Sequence, residues 1–171
     1  MRSKIECSLS PELISVDFSA KLEEAYQIMR NNWIRHLPVT NSWSEIVGIL
    51  SDRDLMRAAN SQIYASTPMH WEKLEFDPQR VVGDYMTSPV RSFDSETATD
   101  RVIVEMISTK TSAFLITKDA KVIGIVTTED MLKLLHHILQ ESGSRWPAKL
   151  ENFFLSPLVQ RTSQMVSDMG I

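Results

Sequence analysis

Apolar residues along this chain change their spacing in a fixed order, and they do so twice. Leu13 to Val16 is short and extended. After Ser19, which suits an N-cap, Leu22, Ala25, Tyr26 and Met29 recur at the three-and-four spacing of a helix face. Two β-rich runs follow, His36 to Thr40 and Ile46 to Leu50, joined by the polar turn Asn41 to Glu45, and a helical pattern resumes from Asp52 to Ala59. The order is β-α-β-β-α. It returns with Val90 to Phe93, a helix from Ala98 to Ser108, strands Ala113 to Thr117 and Val122 to Val126 around the turn Lys118 to Lys121, and a helix from Thr128 to Leu139.

The two passages match residue by residue. Val47-Gly48-Ile49-Leu50-Ser51-Asp52-Arg53-Asp54-Leu55-Met56 pairs with Ile123-Gly124-Ile125-Val126-Thr127-Thr128-Glu129-Asp130-Met131-Leu132 at an offset of 76, while Ala25, Tyr26, Met29 and Val39 pair with Val102, Ile103, Met106 and Ile116 at 77. One extra residue in the Asn41 to Glu45 turn accounts for the slip. Between the copies, Asn60 to Arg80 holds Pro68 and Pro78 and keeps no period, as a connector would. A repeat of roughly 50 residues buries too little surface to be stable alone. Two copies sharing an interface remove that difficulty. The expected organisation is a first repeat at 1–60, a connector at 61–82, a second repeat at 83–140 and an extension at 141–171.

Composition narrows the class without naming it. The chain has 171 residues, 43% of them hydrophobic, a net charge of -4 and no block of like charge, so a generic nucleic-acid or anionic-membrane surface is not expected. Cys7 has no partner for a disulfide, the N-terminus lacks the apolar core of a signal peptide, and no apolar run approaches the roughly 20 residues of a membrane span. A cytoplasmic location is expected.

The repeated chemistry is apolar-Gly-apolar-x-Ser/Thr-x-x-Asp. Taken alone, Ser51-x-x-Asp54 is a capping box for the helix that follows. Taken twice and in register, it also suits a nucleotide. Gly48 or Gly124 would let a ligand approach the backbone, the helix start would offer N–H groups to phosphate, and Ser51 and Thr127 would add a hydroxyl. Asp54 and Asp130 would repel phosphate but can accept from both hydroxyls of a ribose.

With Arg35-His36-Leu37-Pro38-Val39-Thr40 upstream of Val47 to Leu55, and the counterpart at Ile123 to Asp130, the chain resembles the CBS domain family over about residues 5 to 140. The resemblance implies an α/β (α+β) fold of two β-α-β-β-α repeats packed with pseudo-two-fold symmetry, here followed by a helical C-terminal tail. It also implies two ligand clefts and a regulatory role without catalysis. In such a pair Ser51 and Asp54, with Arg53 and Arg35 as nearby positive charge, would face Met86, Thr87, Ser88 and Val90, and Thr127 and Asp130 would face Leu9, Ser10 and Leu13. Arg35 and His36 stand where basic phosphate contacts are common in the family, whereas the second repeat has Ser112 and Ala113. The clefts are therefore expected to be unequal, with the Ser51/Asp54 cleft the better occupied. The implied regulatory ligand is an adenine nucleotide such as AMP, ADP or ATP, with no cofactor required. S-adenosylmethionine, NAD or a cyclic dinucleotide would serve the same features.

Two other functional classes compete. A dimerisation module with non-functional clefts needs only the fold. An enzyme fragment of the kind found in inosine monophosphate dehydrogenases would need some 200 further residues for its barrel. His136 and His137 are adjacent on a helix, so they diverge by about 100° and do not form a chelating pair. Cys7 and most of the tryptophans Trp33, Trp43, Trp71 and Trp146 are expected to be packing residues. Apolar surface on Leu22 to Met29 and Met131 to Leu139 suggests a homodimer. In the tail, Leu150, Phe153 and Phe154 and then, after Ser156-Pro157, Leu158, Thr162, Met165 and Met169 suggest two short docking helices, on this chain, its dimer mate or a protein effector.

Overall fold

The computed structural model describes residues 13–59 and 74–141, and the chain divides into two compact units at Thr128/Glu129. In the first unit the repeat pattern becomes two three-stranded sheets of the same design. In one, β1 (Val16–Asp17) runs parallel to β2 (His36–Thr40), which is antiparallel to β3 (Ile46–Ser51). In the other, β4 (Ser92–Asp94), β5 (Ala113–Lys118) and β6 (Lys121–Thr127) repeat that arrangement. Helix α1 (Leu22–Asn32) connects β1 to β2 and α3 (Thr99–Thr109) connects β4 to β5, while α2 (Asp52–Ala58) follows β3 directly. The register repeats as well. Val39 faces Gly48 and Ile116 faces Gly124, and a bulge follows each pair, between Val39 and Thr40 and between Ile116 and Thr117.

Both sheets bury their apolar positions, the first of them under its own helices. Leu22, Ala25, Tyr26 and Met29 of α1 lie with Val16, Leu37, Val39, Leu50, Leu55 and Ala58 in one cluster. Four of the five apolar residues of α1 lie in this cluster and the fifth, Ile28, packs half-buried against it, so the helix has no separate apolar face to offer a second copy. In the second repeat Val102 and Met106 of α3 are buried, as are Phe114, Leu115, Ile116 and Val126 of its sheet. The larger Phe93 and Phe114 occupy the positions of Val16 and Leu37 and meet edge to face, with ring centroids 5.0 Å apart.

The connector ends by joining the first repeat. Val82 is fully buried in the first cluster, with Tyr85 and Met86 packed against it. Lys21 bridges to Val81 and Ile49 to Thr87, the latter through Ile49 N–H to Thr87 O at 3.1 Å and Thr87 N–H to Ile49 O at 2.8 Å. The Lys21 bridge also corrects the start of α1. Its N-cap is Lys21, and Ser19 instead donates from its N–H and hydroxyl to the Asp17 carboxylate at 2.8 and 2.6 Å, making a turn two residues earlier.

The two hairpins differ as the sequence suggested. Asn41 builds the longer one, its Oδ1 accepting from the N–H groups of Trp43 and Glu45 at 3.0 Å each, and Trp43 projects outward, 78% exposed. Trp33 is 82% exposed, so neither is the packing residue expected, and Trp71 and Trp146 lie outside the described residues. The shorter hairpin turns through Asp119 and Ala120, both at positive φ (50° and 60°), the conformation that suits the twist of a two-residue turn. Alanine there carries a steric cost that glycine avoids. Ala120→Gly is expected to raise stability by about 1 kcal/mol, to be read as a higher urea midpoint with an unchanged slope.

Beyond the first unit, α4 (Thr128–Glu141) presents Leu132, Leu135 and Ile138 as exposed apolar residues, and His136 and His137 are exposed. The two tail helices expected within 147–169 lie outside the described residues. Among the described residues, no helix is long and apolar enough to cross a membrane.

Candidate functional site

Where β3 passes into α2, the capping box forms in full. Ser51 N–H and Oγ–H donate to Asp54 Oδ2 at 2.8 and 2.5 Å, and Asp54 N–H donates back to Ser51 Oγ at 3.3 Å. Asp54 is only 4% exposed, and its Oδ1 accepts from Arg57. The local reading of this motif is therefore structural fact, and any ligand role is added to it. The remaining N–H groups of the turn are also used: Asp52 N–H donates to Arg35 O at 3.0 Å and Arg53 N–H to Asp52 Oδ1 at 2.9 Å. The helix start expected to offer free N–H groups to phosphate does not offer them.

Beside this motif lies a cavity of about 330 Å³ between the two repeats. The first repeat contributes His36, Ile49, Ser51, Arg53, Asp54 and Arg57 to its wall. The second contributes Thr87, Pro89, Val90 and Arg91 ahead of β4, and Lys110, Thr111, Ser112 and Ala113 from the end of α3 into β5. The structure thus brings Ser51, Arg53 and Asp54 together with Thr87 and Val90. Ile49, Pro89 and Val90 give the wall apolar surface, and the Ile49–Thr87 bridge fixes its edge.

Other candidates sit elsewhere. Met86 packs over Gly48, where its thioether fills the space a Cβ would need. That glycine makes room for a side chain of the protein itself, not for a ligand as the sequence suggested. Ser88 is exposed and is not part of the wall. Arg35 turns away to Asp52, with Nε 2.7 Å from Oδ2, because the carboxylate at the helix start is buried and requires a cation. Thr127 closes β6, Asp130 stands in the first turn of α4, and Leu13 is half-buried at the start of the described residues. Leu9 and Ser10 lie outside the described residues, so the facing proposed for the Thr127/Asp130 cleft is not described.

His36 lines the cavity with its Nε2 2.8 Å from Ser112 Oγ, a contact between the repeats. Burial is the largest influence on it and lowers its pKa below the ordinary 6.5; Asp52 and Asp54 pull the other way, and Arg35 and Arg53 add to the lowering. At neutral pH it is an uncharged hydrogen-bonding group, not the cationic phosphate contact expected. The unfolded chain then binds more protons than the folded one between the depressed folded pKa and about 6.5. Stability contributed by neutral His36 is present above 6.5 and lost as pH falls through that window. Urea titrations across this range are expected to show the slope, and His36→Gln to flatten it; an unchanged slope would assign it to another group.

Arg57 was not among the expected site residues, and two further cations of the wall, Arg91 and Lys110, were not legible as such. Neither belongs to the repeated motif. Lys110 sits at the left-handed C-cap of α3 (φ 57°), the position held by Trp33 (φ 54°) after α1. Only the packing of one repeat on the other carries these two residues to the cavity.

Comparison with known proteins agrees with this architecture. The model of the CBS domain matches residues 5–61 and 82–137. A CBS domain-containing protein of Dictyostelium discoideum is 25% identical over 141 residues, 82% of this chain and 96% of its own. Homoserine O-acetyltransferase of Methanosphaera stadtmanae is 25% identical over 78% of this chain, which spans only 24% of that enzyme. A solved CBS domain pair, that of protein MJ0100 in complex with 5′-methylthioadenosine and S-adenosyl-L-methionine, superposes with a TM-score of 0.62 at 25% identity, covering 78% of this chain and 99% of the other. With two matched copies that together span most of its length, the chain belongs to the CBS domain family, as a tandem pair.

Proposed function

We propose that this protein is a regulatory module that binds an adenosine-containing nucleotide in the cleft walled by Ser51 and Asp54 and passes the bound state to a partner protein. The observation that carries the reading is the placement of a buried carboxylate, Asp54, at the wall of a cavity that also has apolar surface from Ile49, Pro89 and Val90. A carboxylate suits a ribose diol and an apolar wall suits a purine face. The pair of MJ0100 holds two adenosyl compounds, which supports the same chemical class here. A reversible sensor calls for micromolar to millimolar affinity, roughly -4 to -8 kcal/mol.

The competing reading is a scaffold whose clefts are empty in function. A thermal-shift series with adenosine, AMP, ADP, ATP, NAD and S-adenosylmethionine separates the two. Preferential binding to the folded state stabilises it by about 2.7 kcal/mol when ligand reaches a hundred times its Kd. A rise in Tm with adenosine compounds, with matching calorimetric heat, is expected. No rise and no heat at millimolar ligand leaves the scaffold. The homodimer reading now rests on the Leu132, Leu135 and Ile138 stripe of α4. Light scattering at tens of micromolar tests it, a single 19.5 kDa species being the result against it.

A further inference from the structure

The Ser51/Asp54 cleft carries a charge imbalance that an adenosine ligand as such does not require. Arg53, Arg57, Arg91 and Lys110 line it against one carboxylate, Asp54, in a chain whose net charge is -4. All four cations are exposed at the cavity. Arg57 pairs with Asp54, and Arg91 reaches Glu105 at 2.9 Å, but Arg53 and Lys110 make no ion pair among the described residues. The start of α2 cannot substitute for them, because the N–H groups of Asp52, Arg53 and Asp54 are already donated within the protein. On that side of the cleft an anion would be met by side chains.

This charge is not a property of the repeat. At the corresponding positions of the other copy, Arg53 is replaced by Glu129, Arg91 by Ile14 and Lys110 by Trp33. Only Arg57 has a basic counterpart, Lys133, and that lysine bonds Glu129 at 2.9 Å. The cations converge on one cleft because Arg53 differs from its counterpart in the first repeat, and Arg91 and Lys110 differ from theirs in the second. A cavity of about 330 Å³ is near the lower end for ligand sites, which run from ~300 to 1,000 Å³, and suits one nucleotide better than a dinucleotide.

We propose that this cleft selects an adenosine 5′-polyphosphate, with two or more phosphates spread over Arg53, Arg91 and Lys110, against adenosine, its monophosphate and the sulfonium of S-adenosylmethionine. The selection rests on the adenosine reading above and adds to it. Each further phosphate brings negative charge to a cleft where Arg53 and Lys110 make no ion pair among the described residues, whereas a sulfonium brings a fifth positive charge among four.

The test is calorimetry on the full chain in magnesium-free buffer, with adenosine, AMP, ADP, ATP, S-adenosylmethionine and inorganic triphosphate, at low and high salt. ATP is expected to bind at least about tenfold more tightly than AMP, the gain of one charge-assisted hydrogen bond. That gap should narrow as salt screens the exposed cations. The double variant Arg91→Met, Lys110→Met should lose the gap between ATP and AMP; both residues are exposed, and an unchanged urea midpoint checks the fold. If adenosine or S-adenosylmethionine binds as tightly as ATP, or the double variant keeps the gap, the polyphosphate proposal falls and the adenosine reading stands. If inorganic triphosphate binds as tightly as ATP, the nucleoside contributes nothing and the adenosine reading falls. Absence of binding by every compound overturns both.

Discussion

Asp54→Ala is expected to lower stability by about 2–3 kcal/mol and to weaken adenosine-ligand binding by at least about tenfold, far more than Asp130→Ala weakens it. The stability loss follows from the capping box. Ser51 N–H and its hydroxyl both lose their acceptor, in a turn where Asp54 itself is only 4% exposed. Arg57 adds little, because its side chain is 74% exposed and an ion pair with one solvated partner is worth under about 1 kcal/mol. The binding loss follows from the proposed ribose contact, whose charged acceptor disappears. Asp54→Asn separates the two effects, since an amide keeps the side chain's shape and one acceptor oxygen while removing the charge. Chemical denaturation and calorimetry on the same samples decide the matter. Wild-type affinity in Asp54→Ala, with binding abolished in Asp130→Ala, would move the occupied cleft to the other motif.

Phe114→Ala is expected to cost more, about 3–5 kcal/mol. Phe114 is 1% exposed on β5, the central strand of its sheet, and its ring meets that of Phe93 edge to face at 5.0 Å. Truncation removes the transfer energy of the ring, leaves a cavity and ends an aromatic pair worth roughly 0.5–1.5 kcal/mol. Against a total stability of about 5–15 kcal/mol for a domain, this is enough to leave a marginal protein partly unfolded. Val104→Ala is the control, because Val104 is 63% exposed on α3 and a surface change there should stay within about 0.5 kcal/mol. The urea midpoints of both variants at unchanged slope measure the difference. A loss below 1 kcal/mol for Phe114→Ala would mean that the second repeat is not packed around this ring.

Much of this was written in the sequence, because periodicity and repetition are local properties. The β-α-β-β-α order, the hairpin ends and the capping box at Ser51 all depend on residues a few positions apart. What the sequence did not reveal depends on contacts distant in the chain. Ser19 has N-cap chemistry, but α1 begins at Leu22 because the backbone of Lys21 pairs with Val81. Gly48 suggested room for a ligand, and the side chain that claims the room, Met86, stands 38 positions later. Arg35 and His36 are the right residue types for phosphate, yet one answers the buried Asp52 and the other is held uncharged against Ser112. Arg91 and Lys110 belong to no motif, and they enter the cleft only through the docking of the repeats.

The seating of Val82 in the core of the first repeat, with Thr87 bonded to Ile49, makes the sequence repeat and the unit of inheritance different objects. A gene fragment ending in the connector would encode every strand and helix of the first repeat and still lack a fully buried member of its core. Recombination or truncation at that boundary would therefore yield an exposed apolar socket in place of a folded half. Duplication of the whole pair, or exchange of a pair between proteins, would carry each core complete. The crossing of this short segment thus favours the pair over the single repeat as the piece that evolution, or a protein engineer, can move intact.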